Sequence, residues 1–313
     1  MRSEVIKAVS KKVLVNLLML LIIIVLIIVV TGIPMGFDIV TYNGTSTPNM
    51  ELREIFNSIK INLITFLRGE ALGIEVQGDT VGQLLLKTAG KSSIILIGGA
   101  ILALLIGIPK GIIDSRKRDR SGTLKLMQSL IPLSIPDILT AVLVQLGALY
   151  LYKNKISFLG LGVISSVGDG SLLNAIYPII SIAVLPAAYI SRVTASTIEE
   201  GFEKPYILAA RGKGCSRFQI IKNHLMKRIG YEILSNFPTI IGIMFSSLII
   251  IEKLYFYRGI GFYLVFLYNT DLIKPYEASI AFTTFIVTLA IFYYGIFIIF
   301  NLLKEILLPK VKG

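Results

Sequence analysis

Six apolar runs, separated by polar and charged segments, set the pattern of this chain. A hydrocarbon core of about 30 Å takes about 20 apolar residues of helix. The qualifying runs are residues 13–31, 92–113, 126–152, 173–191, 233–251 and 278–303. The pattern predicts an all-α integral membrane protein with six transmembrane helices. The first run follows a basic start of Arg2, Lys7, Lys11 and Lys12. It exceeds the apolar stretch of a secretory leader and no small-residue cleavage site follows, so it reads as an uncleaved anchor. Residues 1–31 then form an N-terminal segment and first span. Residues 32–91 form an extramembrane segment, and residues 92–313 the core membrane domain with a polar loop at 192–228.

Composition agrees with the pattern. The 313 residues are 54% hydrophobic and 16% charged, whereas soluble domains carry about 25% charged residues. The net charge of +12 does not point to nucleic acid, because the basic residues lie between apolar runs, where they orient helices in the bilayer. The N-terminus, residues 110–125, the loop 192–228 and the stretch after 303 hold 21 of the 31 basic residues. The positive-inside rule puts those segments, and both termini, in the cytosol. Six spans give the same parity.

Three segments fall on the other side. Within 32–91, residues 50–67 predict an amphipathic helix with Leu52, Ile55, Phe56, Ile59 and Leu63 apolar. Residues 153–171 are short and Gly-rich. Residues 254–276 are rich in aromatic side chains, which suits either an interfacial belt or the mouth of a path.

Several chemistries are excluded by absence from the sequence. There is one histidine, His224, so no His-pair zinc motif exists. No G-x-S-x-G elbow and no P-loop occur. Cys215 stands alone, so no internal disulfide can form. Asp169 sits in a Gly-Asp-Gly turn. Asp137, Glu232 and Glu252 are expected near span edges, which argues against an ion-coupled carrier with a midplane carboxylate.

The loop 192–228 is the richest segment. Glu199 and Glu200 precede a Gly stop at Gly201. Pro205 opens a short helix over 206–213, at a position where its missing N–H does no harm. Gly214 permits a left-handed turn. A second short helix over 216–228 follows, with Phe218, Ile221 and Leu225 as its apolar face. Two short helices at an elbow would form a knob outside the bilayer.

The order of residues in this loop resembles the coupling loop of ATP-binding-cassette (ABC) importer permeases. It is most similar to the B-type subunit of the dipeptide, oligopeptide and nickel subfamily. Arg192, Ser196, Glu200, Tyr206, Ala209, Arg211, Lys213, Gly214 and Asn223-His224-Leu225 stand in matching register. So do Gly69-Glu70-x-Leu72-Gly73, Gly107-Ile108-Pro109-x-Gly111 and Ser134-Ile135-Pro136. After the fifth span, Glu252-x-x-x-Phe256-x-x-Gly259-x-Gly261 and Pro275-Tyr276 match as well. The chain departs from the pattern at Pro205, Leu208 and Arg258, and in the segment 32–40.

The resemblance implies a type I importer permease fold and a transport subunit rather than an enzyme. The cargo would be peptides, with nickel or a metal chelate as the alternative and a secondary carrier as a more distant one. The implied partners are a second, C-type permease, two ATPases, an extracytoplasmic substrate-binding lipoprotein and the lipid bilayer, with no nucleic acid. The chain itself would hold no cofactor and no metal; ATP and magnesium would sit on the ATPases. Tyr206, Ala209, Ala210, Arg211, Lys213 and Gly214 would meet an ATPase, supported by Arg192, Glu200 and His224. Glu252, Phe256, Gly259 and Gly261 would meet the binding protein or line the mouth of the path. The location would be the cytoplasmic membrane of a bacterium or archaeon.

Overall fold

Long apolar runs whose only strong breakers are prolines become long helices, because a helix satisfies its own backbone hydrogen bonds. The computed structural model describes residues 2–32, 39–42, 45–48, 52–115, 136–157, 160–165, 167–269 and 273–307. Helix α1 (Arg2–Thr31) leads to strands β1 (Ile39–Tyr42) and β2 (Thr45–Pro48), helix α2 (Leu52–Leu67), and strands β3 (Glu75–Val76) and β4 (Asp79–Thr80). Then come α3 (Val81–Asp114), α4 (Asp137–Lys153), α5 (Ile176–Phe202), α6 (Pro205–Gly212) and α7 (Arg217–Ile220). Helices α8 (Met226–Leu254), α9 (Ile260–Tyr268) and α10 (Pro275–Leu307) complete the order.

Among the described residues five helices are long and apolar enough to cross a membrane, against the six expected: Val13–Thr31, Val81–Asp114, Leu172–Phe202, Arg217–Leu254 and Tyr276–Lys304. The remaining expected span, 126–152, is represented by α4; residues 126–135, and Ser134-Ile135 with them, lie outside the described residues.

The chain divides into two compact units. One comprises Met1–Ser92 with Arg258–Ile298. A polar knot lies among its buried apolar side chains. Asn62 Nδ2 donates to Thr283 Oγ1 at 3.1 Å, which in turn lies 2.8 Å from Thr31 Oγ1. Ser279 Oγ donates to the Thr31 carbonyl at 3.1 Å. This knot ties α1, α2 and α10, and it draws in Asn62 on the same face of α2 as the half-buried Ile55, Ile59 and Leu63 of the expected stripe. Asn62 is buried while Leu52 and Phe56 are exposed. Two antiparallel hairpins complete the unit. β1 and β2 pair Tyr42 with Thr45, leaving Asn43-Gly44 between them, a strong two-residue hairpin signal. In the other hairpin Gln77 and Gly78 both have positive φ, 55° and 88°, as a mirror-image tight turn requires.

The other unit comprises Ser93–Tyr257 with Ile299–Gly313. Here α3, α4, α5 and α8 supply the core. Helix α3 meets α5 along a seam of glycines. A Cβ on Gly99 would lie 2.3 Å from Ile182 Cγ2, on Gly107 2.8 Å from the Ala187 carbonyl, and on Gly111 2.5 Å from the Ser191 carbonyl. Small residues let helix backbones approach closely in lipid. The pairing advances in step on both helices, so α3 and α5 run parallel.

Helix α5 runs antiparallel to α8. Ser181 Oγ is 2.8 Å from Tyr255 Oη, Tyr189 Oη donates to Asn236 at 3.0 Å, and Gly201 packs on Leu225. Helix α4 runs parallel to α8, through hydrogen bonds of Tyr255 Oη to the Ala141 carbonyl and of Gln145 Nε2 to the Leu254 carbonyl. The same register pairs Asp137 with Ser247. Ser247 is seven residues short of the end of the span Arg217–Leu254. Asp137 thus stands in the first turn of α4 against Ser247 of α8.

Candidate functional site

The loop between α5 and α8 is built as the sequence dictates at its start. Pro205 occupies the first turn of α6, with extended Lys204 before it. The helix ends where Gly214 takes φ +83°, a backbone region costly to side-chain-bearing residues. Gly214 N–H donates to the Arg211 carbonyl at 2.9 Å, and Cys215 N–H to Ala210 at 3.2 Å. Ser216 then opens α7 with a reciprocal cap. Its hydroxyl accepts from Gln219 N–H, and its own N–H donates to Gln219 Oε1 at 2.8 Å.

The second arm differs from the expected separate helix over 216–228. No breaker strong enough to stop a helix lies between Arg228 and Ile233. α7 therefore continues through a π turn at Ile221–Leu225 into α8, giving one rod, Arg217–Leu254, of 38 residues. Ile221 and Leu225 face inward, but Phe218, expected on the same stripe, is exposed. The extra residue per turn in a π turn shifts the helical phase, which moves Phe218 off the stripe.

Helix α6 is docked on its own chain by one face only. Ile207 is wholly buried and Ala210 nearly so. Tyr206, Leu208, Ala209, Arg211, Lys213 and Gly214 are exposed. Ala210 thus packs inward, and Leu208 takes a place in the outward set that the sequence did not suggest. Tyr206 and Leu208 are each about half exposed (50% and 52%). Arg192 and His224 are exposed. Glu200 accepts from Arg228 Nη2 at 2.9 Å, bracing the end of α5 against the start of α8; at such exposure the pair contributes at most about 1 kcal/mol.

A second brace escaped the sequence reading. Arg217 Nη2 donates to Ser115 Oγ at 2.8 Å, and its guanidinium lies 4.6 Å from the centre of the Phe202 ring. Ser115 Oγ also bonds the Ile112 carbonyl at 2.8 Å. One residue earlier Asp114 takes a hydrogen bond from Ser191 at 3.2 Å and an ion pair from Lys110 at 2.6 Å. The ends of α3, α5 and α7 are therefore fastened together beside α6. Arg217 and Ser115 are 102 residues apart, so no local pattern could announce them.

The motif after α8 forms an elbow. Tyr257 N–H donates to the Glu252 carbonyl at 2.9 Å, closing the turn. Phe256 is exposed and holds φ +49°, a strained value for a bulky side chain. Gly259 caps α9. Glu252 is fully buried, and Gly259 and Gly261 are buried too. Of the four residues expected at a contact or mouth, only Phe256 offers its surface. Burial pushes the Tyr257 phenol above its usual range, and the negative charges of Asp169 and Glu252 push it further the same way.

Residues 107–313 match the family of binding-protein-dependent transport system inner membrane components. The chain belongs to this family. As such a component it is an inner-membrane transport protein, and the matched region holds the Gly107–Gly111 part of the α3–α5 seam, the α6 loop and the elbow. It is similar to a dipeptide transport system permease protein, DppB, of Bacillus subtilis, at 26% identity over 206 residues, 65% of this chain and 63% of that one. A relative from Brucella ovis named as a peptide permease is 24% identical over 193 residues, 60% of this chain and 59% of its own length. The chain thus spans about three-fifths of the length of these relatives. Among solved structures, a chain of the MetNI methionine ABC transporter in an inward-facing conformation is similar, with TM-score 0.47 and 19% identity, covering 71% of this chain and 95% of that one.

Proposed function

We propose that this inner-membrane component forms half of the path of an ATP-driven peptide importer. A second, C-type permease forms the other half. Two cytosolic ATPases dock beneath, and a substrate-binding lipoprotein delivers cargo from outside. Both termini and the α6 loop lie in the cytosol, following the bias of basic residues. The chain binds no nucleotide itself; ATP and magnesium belong to the ATPases. Peptide cargo is supported by the names of the relatives, and nickel or a metal chelate is the competing cargo.

The observation that carries this reading is α6: a short helix held by one face and bare on the other, between two membrane spans. Tyr206 and Leu208 supply an apolar anchor, Ala209 permits close approach, and Arg211 and Lys213 supply charge for acidic groups on an ATPase. Closure of the ATPases would push α6, and the Arg217 and Glu200 braces would pass the movement to α3, α5 and α8 as a rigid-body switch.

The test is Leu208→Asp. It places a charge in the centre of the bare face without touching Ile207. Co-purification with the ATPases is expected to fall at least about tenfold, the effect of roughly 1.4 kcal/mol, while the thermal midpoint of the isolated chain stays put. Undiminished complex and uptake would refute the docking role.

A further inference from the structure

Docking of α6 does not account for the wide turn that joins α7 to α8. That turn spans Ile221–Leu225 and is closed by Met226 N–H, which donates to the Ile221 carbonyl five residues back. Leu225 takes φ −104° and ψ −21°, away from the α-helical values of about −63° and −42°. A π turn holds one residue more than an α turn, and such turns are common at functional positions. Lys222, Asn223 and His224 are all exposed in it.

One extra residue amounts to a rotation of about 100° and a step of about 1.5 Å between the segments on either side. The sequence carries apolar side chains for both settings. In the observed one, Ile220, Leu225 and Ile229 are buried, while Phe218 is 62% exposed. Arg217 faces α3 and α5, bonding Ser115 Oγ at 2.8 Å and lying 4.6 Å from the centre of the Phe202 ring. In an unbroken α-helix the seven residues from Phe218 to Leu225 make nearly two turns, which brings Phe218 within about 20° of Leu225. Ile220 then stands about 140° from Leu225, and Arg217 about 80°. One large apolar side chain leaves the core as another enters, so burial alone selects neither setting. The Arg217 brace holds the observed setting, and regular α-helical hydrogen bonding favours the other. Leu225 is the fixed point: it is wholly buried against Gly201, where an added Cβ would lie 2.5 Å from its Cδ2.

We propose that the π turn at Ile221–Leu225 is a joint with two settings. Movement of α6 turns α7 by one residue, converts the wide turn to α-helix, exchanges Ile220 for Phe218 in the core and withdraws Arg217 from Ser115. The joint rests on the docking of α6 proposed above and adds to it the step at which the push reaches or releases α3. The Glu200–Arg228 brace lies beyond the joint and keeps its place. A small push becomes a discrete rearrangement because packed interfaces are bistable rather than continuously deformable.

The experiment uses the full transporter with its ATPases in proteoliposomes, in a Cys215→Ser background. Phe218→Cys and Ile220→Cys are labelled separately with a maleimide, with and without ATP and vanadate to hold the ATPases closed. On closure, labelling at position 218 is expected to slow about tenfold and labelling at position 220 to quicken about tenfold. An ATPase that merely covers the knob slows labelling at 218 but cannot expose 220. Deleting Asn223 removes the extra residue, so that an ordinary α-helix keeps Ile220 inward and Phe218 outward. The deletion is expected to retain the ATPases on co-purification and to lower ATP-dependent uptake at least about tenfold. Either measurement decides the matter if the other variant does not assemble. Uptake at the wild-type level after the deletion, or labelling at 220 that closure does not raise, overturns the joint and leaves the docking of α6 standing. Absence of ATP-dependent uptake in the wild type overturns the permease reading, and the joint with it.

Discussion

At Gly111 the main chain of α3 lies so close to α5 that an added methyl would sit 2.5 Å from both the Ser191 carbonyl and Thr194 Cβ. Neither neighbour is the far end of a flexible side chain, so the backbones must part. Overpacking of this kind costs about 1–3 kcal/mol. Gly111→Ala is expected to lower the thermal midpoint in detergent. Gly90, in the same helix, has nothing within 4 Å of an added Cβ. Gly90→Ala is expected to leave the midpoint unchanged or raise it slightly, by about 0.5–1 kcal/mol of helix propensity. Similar losses at both positions would show that the α3–α5 seam does not depend on glycine. The Gly107-x-x-x-Gly111 spacing was legible in the sequence as a motif. Its reason, the carbonyls of α5, was not, because they belong to residues some 80 positions away.

The loop element depends on how its two arms are joined. Gly214 has open space around it and is required only by its backbone angle, whereas Ser216 and Gln219 hold the entry to α7 by side-chain bonds. Removing an N-cap hydroxyl costs about 1 kcal/mol. Ser216→Ala is expected to speed hydrogen exchange several-fold at the amides of residues 217–219 and to leave exchange in the middle of α8 unaltered. Uniform acceleration along the rod would mean that the cap governs global stability rather than this turn. Pro205 and Gly214 were readable because each acts within four residues. The fusion of α7 with α8 through a π turn, the inward turn of Ala210 and the outward turn of Leu208 depend on what α5 offers as a packing surface.

Across the whole molecule the distribution of basic residues makes the prediction. In a Cys215→Ser background, cysteine at position 170 is expected to react with a membrane-impermeant maleimide applied outside intact cells. Cysteine at position 213 is expected to react only after the membrane is opened. Both positions are exposed, so accessibility reports sidedness and not burial. Labelling of position 213 in intact cells would invert the topology and remove the α6 loop from any cytosolic motor. The parallel course of α3 with α5 and of α4 with α8, and the antiparallel course of α5 with α8, agree with strict alternation of these spans.

Hydropathy, charge bias and short-range turn chemistry are properties of neighbouring residues. By itself, therefore, the sequence determined that the chain is helical and membrane-spanning, where the helix opened by Pro205 begins and ends, and which family order its motifs follow. Facing and helix register depend on partners far along the chain, and only the tertiary structure decided those. It drew Asn62 inward with Thr283, enclosed Glu252, and fastened Arg217 to Ser115. It also set Asp137 beside Ser247, because a hydrogen bond between two helices fixes their register in a way that no hydrophobic run along one of them can.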